Sequence, residues 1–440
     1  PRTLNTLQLV MITFFAVCGG PFGLESVVRT AGPGLSILSL LAVPWVWALP
    51  QALMTAELAT ALPEMGGYVV WVHRAFGECA GFQVGVWKVC ESLLDLALYP
   101  VLLTAYLEAF LHATLGPLQR WAMGVLILGA VSLLNVLGVE AVGDYSTVFG
   151  VVVLLPFALL VIIGMKHIRL QALVAGPPAA GQGEDGETLD WGVFCAVLLW
   201  NTSGFDSAGT CAAEVADPRR SYVRAMVGAV ALTLAVYLLP LAVGVSVAED
   251  YGHWRPGHFV DVGGAVGGPW LAGWIAAAGA VSALALLNSL LCTSSRALVA
   301  CAEHGWAPRA LRRLHPTYGT PHVAVLANAV AASFLTMFDF EAIAEMAMVL
   351  YCLAMLAELG ALARLRQTEP ALPRPYRIPV SDGWGIWLFV LSPGLLCGLL
   401  LALSGQAAVA MGAAVVALTF LAYVCVVRRT GGGRGGARAG

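Results

Sequence analysis

Apolar windows of about 20 residues, the length that carries a helix across a hydrocarbon core, recur along this 440-residue chain with polar or Gly/Pro punctuation between them. Twelve can be marked, near 5–30, 35–61, 80–112, 119–138, 145–166, 190–215, 221–248, 269–302, 321–338, 341–366, 384–404 and 407–428. At 59% hydrophobic and 11% charged residues the chain carries more apolar surface than a soluble core hides. The expected class is therefore an all-α polytopic membrane protein. The first window is too long for a signal-peptide core and further spans follow it, so it reads as a span. The 10 cysteines lie in or beside apolar segments, without a Cys-x-x-Cys pair or a Cys/His grouping of metal spacing. They read as reduced packing residues, and neither a metal nor a cofactor is expected.

The first window is interrupted in its middle. Cys18 to Glu25 reads CGGPFGLE, and glycine costs about 1 kcal/mol and proline about 3 kcal/mol in a helix interior. Backbone groups freed at membrane depth survive only where they line an enclosed cavity. A second interruption, Trp200-Asn201-Thr202-Ser203-Gly204-Phe205-Asp206-Ser207, falls in the sixth window. Paired discontinuous helices at matching positions of two repeats point to a secondary-transporter binding site. Two five-helix repeats, about 5–166 and 190–366, with two extra helices at about 384–428, would make spans one and six such a pair. The Gly/Arg-rich tail, 429–440, reads as disordered. For each glycine cluster alone the competing reading is close helix packing.

Placing both termini in the cytoplasm puts all but five of the 23 lysines and arginines on or near that side, Lys88 among them. The basic loops then read as a topology signal and no nucleic-acid partner is expected. Acids inside apolar spans must be paired, protonated or facing water. Glu25 directly follows the first break, Asp206 lies in the second, and Asp95 sits in span three one turn before Tyr99. Glu57, Glu64 and Glu214 are expected to pair with arginines of the cytoplasmic loops. The expected substrate site comprises Gly19, Gly20, Phe22, Gly23, Glu25, Asp95, Tyr99, Phe205, Asp206 and Ser207. Glu25, Asp95 and Asp206 are the candidates for carrying a coupling proton. No residue is expected to be catalytic, because the chain has no Gly-x-Ser-x-Gly elbow, phosphate loop or His/Glu metal motif.

Several runs together resemble a known family. They are FFAVCGGPFGLE from Phe14, PQALMTAELATALPEMGGYVVWV from Pro50, DLALYP within Gly81 to Leu107, and FDSAGTCAAEV ending at Val215. AEHGWAP from Ala302, YGTP from Tyr318, LYC at Leu350 and RPYRIPV from Arg374 complete the set. They are similar to the plant and protist polyamine-uptake carriers of the amino acid, polyamine and organocation superfamily, near the L-type amino acid transporters. The resemblance covers nearly the whole chain. It implies a leucine-transporter-like fold of twelve helices, five plus five inverted and two more, working by alternating access in the plasma membrane. It also implies proton-driven uptake of putrescine or spermidine.

The chain departs from that branch at charged positions. Ala16 and Cys18 stand where the carriers read FFEVSGGPFG, and Gly204 to Ser207 where they read YWDS. Ala347 replaces a span-ten glutamate and Arg296 a span-eight acid. Each ammonium of a polyamine needs an anionic partner to offset desolvation. An amino acid permease or exchanger of the same superfamily is the alternative, and a non-transporting receptor or sensor on a carrier fold the alternative of another class. The expected partners are a small amine or amino acid, a coupling proton and the lipid bilayer.

Overall fold

The computed structural model describes residues 6–64, 66–137, 146–176, 190–214, 218–303 and 307–427. In chain order these form α1 (Thr6–Val17), α2 (Glu25–Val43), α3 (Leu49–Ala61), α4 (Tyr68–Phe76), α5 (Glu78–Leu111), α6 (Pro117–Val136), α7 (Ser146–Gly164), α8 (Leu170–Leu173), α9 (Trp191–Trp200), α10 (Pro218–Val247), α11 (His258–Gly267), α12 (Pro269–Glu303), α13 (His322–Leu335), α14 (Phe340–Thr368), α15 (Trp384–Leu403) and α16 (Gln406–Ala422). No strand occurs among the described residues. Eight helical runs there are long and apolar enough to cross a membrane; Thr6–Val17, Val151–His167 and His322–Leu335 are apolar but shorter. The tail 429–440 and loop residues 177–189 lie outside the described residues.

Both expected interruptions are present. The chain leaves the helix after Val17 and re-enters at Glu25. In the sixth window α9 ends at Trp200, and after a non-helical stretch the chain resumes as a 3-10 segment, Phe205–Glu214. Gly20 at φ 132°, Gly23 at φ 86° and Gly204 at φ 105° occupy a region that side chains disfavour. That is why the reversals fall on glycine. The boundary expected between the first two windows takes a different form. Helix assignment runs continuously from Glu25 to Val43, but Gly32 (φ 76°, ψ 167°) breaks its path just before Pro33. The proline then serves as a first-turn residue, where its missing N–H costs nothing.

α5 is the central element, packed against α14 and α12, while α1 lies on α10 and both α2 and α14 contact α9. At 34 residues α5 is about 50 Å long, well beyond a hydrocarbon core of roughly 30 Å. α15 and α16 present Leu388, Leu395, Leu418 and Phe420 outward, as helices in contact with lipid would. The connection after α14 is strapped back onto the bundle by Arg366, which is buried with Glu57. Arg366 donates to Glu57 at 2.8 and 2.5 Å and to the carbonyls of Ile378 and Val380. The N–H of Ile378 also reaches Glu57, at 2.8 Å, and Arg374 lies 3.4 Å from it. With every acceptor of Glu57 engaged, this buried pair meets the condition that makes burial of charge tolerable.

Candidate functional site

The two breaks face one another. A Cβ added at Gly204 would lie 2.9 Å from the Ala16 carbonyl oxygen, so the second break passes against the first with no room for a side chain. Each releases backbone groups that neighbouring helices take up. Ser282 of α12 donates to the Gly19 carbonyl at 2.6 Å, and the Phe22 N–H reaches the Gly20 carbonyl at 2.7 Å. Across the second break Tyr237 donates to the Asn201 carbonyl at 2.9 Å, Trp47 donates to Ser203 Oγ at 3.1 Å, and the Gly204 N–H donates to the Tyr351 hydroxyl at 3.1 Å. Non-helical chain at membrane depth is thereby satisfied from the side.

Between the breaks lies a cavity lined by residues of both. Cys18, Gly19 and Gly20 form one wall, and Trp200, Asn201, Ser203 and Gly204 form another. Aromatic side chains from α5, α10 and α14 (Tyr99, Tyr106, Tyr237 and Tyr351) close it. Among the described residues that line it, Glu91 is the one acid and none is basic. Carboxylate, carbonyls and aromatic faces together form a surface that suits an ammonium group.

Of the residues expected from sequence, Gly19, Gly20, Phe22 and Tyr99 line this cavity. Gly23 lies beside it with its N–H turned to Glu25 at 2.8 Å. Glu25 is fully buried as the first residue of α2, and also accepts from Tyr106 at 2.7 Å and from the Gly257 N–H at 3.1 Å. Its carboxylate is thus occupied by three neutral donors. Asp95 is half-buried and accepts from Trp200 Nε1 at 3.0 Å. Phe205 lines a second, smaller hollow with Leu40, Pro44 and Tyr237, and Ser207 Oγ bonds back to the Gly204 carbonyl at 2.5 Å.

Asp206 is fully buried behind the cavity wall, where Tyr351 donates to its Oδ1 at 2.7 Å and Lys88 Nζ lies 3.1 Å from its Oδ2. Lys88 is the residue that sequence reasoning misplaced. The topology count places it with the cytoplasmic charges, whereas it projects from within α5 into the protein, 2.8 Å from Glu91 Oε2 and 4.4 Å from the centre of the Tyr351 ring. A lysine inside an apolar helix with an acid three positions on was the available signal. No group of acids, histidines or cysteines arranged to hold a metal occurs among the described residues.

Comparison with known proteins is consistent with this architecture. The chain is 36% identical over 423 residues to a probable polyamine transporter of Arabidopsis thaliana, covering 96% of this chain and 86% of the relative. It is 36% identical over 420 residues to polyamine transporter PUT1 of Oryza sativa subsp. japonica, covering 95% and 77%. It is 33% identical over 427 residues to polyamine transporter RMV1 of Arabidopsis thaliana, covering 97% and 85%. The family model for amino acid permease matches residues 4–426. With paired helix breaks around an amine-suited cavity and a match spanning nearly its whole length, the chain belongs to the amino acid permease family.

Proposed function

We infer that this permease takes up polyamines, putrescine and spermidine among them, by alternating access coupled to a proton. The observation that carries the reading is the cavity between the breaks, where Glu91 and a ring of aromatic residues face the empty space. The names of the relatives support it. An ammonium there would gain one charge-assisted hydrogen bond to Glu91 and the attraction of aromatic faces. Gly19, Gly20, Phe22 and Tyr99 would contact solute directly. Gly23, Glu25, Asp95, Phe205, Asp206 and Ser207 would hold the two breaks in shape. The proton would be carried by one of the acids Glu25, Asp95 and Asp206. Twelve spans in two inverted five-helix repeats plus two helices, cytoplasmic termini and residence in the plasma membrane belong to the same reading.

A second reading, an amino acid permease or exchanger, is favoured by the single acid on the wall, which suits a solute with one ammonium. Uptake of labelled putrescine and labelled leucine into liposomes holding the purified chain separates the two. The expected result is putrescine accumulation driven by a pH gradient, competed by unlabelled spermidine and indifferent to leucine. Leucine uptake without putrescine uptake would replace the first reading by the second, and uptake indifferent to the gradient would remove the proton.

A further inference from the structure

The ammonium of Lys88 rests in surroundings that a free alkylammonium would also satisfy. Two carboxylates hold it, Glu91 at 2.8 Å and Asp206 at 3.1 Å. Two aromatic faces flank it, Tyr351 with its ring centre at 4.4 Å and Tyr68 at 5.2 Å. Paired carboxylates supply charge and directed acceptors, and ring faces attract a cation by their quadrupoles. Among the described residues Glu91 Oε2 and Asp206 Oδ2 have no polar partner besides the Lys88 ammonium. A third acid, Glu358, is fully buried with neither carboxyl oxygen partnered, and it lies within electrostatic reach of Asp206, Lys88 and Glu91. Two acids therefore hold the cation, and a third lies within electrostatic reach of it. Glu91 and Tyr351 are shared with the cavity, forming part of its lining.

We propose that this pocket is an alkylammonium site whose resident ligand is the chain's own Lys88. The lysine occupies the place that a second amine would take beyond the cavity wall. Truncating it to alanine removes the three-carbon ammonium outer part, which n-propylammonium replaces in size and charge. The inference needs no knowledge of the transported solute, because it is read from the stability of the purified full chain.

The experiment measures the thermal unfolding midpoint of Lys88→Ala and of the unmodified chain against increasing n-propylammonium chloride, with n-propanol and sodium chloride as controls. The expected result is a saturable rise in the midpoint for Lys88→Ala that exceeds whatever rise the unmodified chain shows through its cavity, with neither control reproducing it. Equal responses of the two proteins, or a rise with sodium chloride or propanol that matches propylammonium, would overturn the proposal. Where Lys88→Ala alone does not fold, the double variant Lys88→Ala with Asp206→Asn carries less buried charge and keeps Glu91 as the anchor. The same saturable rise is expected there, and a flat response overturns the proposal.

Discussion

The two helix breaks perform the same local feat with opposite means. At the first, Glu25 receives three neutral donors: the Gly23 N–H, the Tyr106 hydroxyl and the Gly257 N–H. At the second, Asp206 is held by a lysine on a flexible stem and by one tyrosine hydroxyl. Fixed dipoles converging on a carboxylate stabilise one geometry, whereas a lysine is a point charge with rotatable donors that re-pairs readily. The first break is accordingly a built corner. The second is a joint whose partner has somewhere else to go, since Glu91 already shares it.

The largest effect that follows is on Lys88→Met. Removing one partner of a buried ion pair costs about 3–5 kcal/mol, and here two carboxylates lose their counter-charge. A loss of that order in an unfolding titration is expected, together with loss of transport. Glu25→Gln at the other break should cost less, about 1–3 kcal/mol, because an amide keeps one acceptor and presents an NH₂ where an N–H already donates. If the order of these two losses were reversed, the contrast between corner and joint would fail. Tyr351→Phe sharpens it further. The ring over Lys88 remains, the Gly204 N–H loses its acceptor and Asp206 its donor, and a cost of about 1 kcal/mol is expected with a raised uptake KM.

The smallest effect lies outside the membrane. The hydrogen bond from Arg74 holds Glu369 below the usual carboxylate range, and the one from Arg377 does the same for Asp382. A carboxylate lowered in the folded state contributes stability above its unfolded pKa and loses it as pH falls through the folded value. Protection of the strap 369–383, taken relative to the intrinsic exchange rate at each pH, should therefore fall once pH drops below about 4, while the core of α5 keeps its protection. Unchanged protection in that strap would leave Arg366 and Glu57 as its whole attachment.

The breaks were legible in the sequence because they depend on local chemistry. Glycine, proline and short polar side chains forfeit helical hydrogen bonds wherever the rest of the chain goes. The pairing of Glu57 with arginine is legible as well, although its main partner, Arg366, belongs to the last turn of α14 and only Arg374 comes from the loop after it. The neighbourhood of each acid was not. Glu25 and Asp206 look alike in an apolar window, and what distinguishes them is a hydroxyl from α5, an N–H from the residue before α11 and a lysine arriving at a particular rotation of α5. Those relations rest on the phases of separate helices. A tally of basic residues by side cannot register Lys88 for the same reason, because it does not read which face of α5 carries the side chain inward.

The bond from Gly257 to Glu25 has a mechanical corollary. Gly257 immediately precedes α11, so the segment entering that helix and the bend in the first span meet at one carboxylate oxygen. Drawing that segment away strips the carboxylate of one donor, and slackening the bend frees the Gly257 N–H. The position of that segment and the shape of the first break are thereby yoked through a single side chain, that of Glu25.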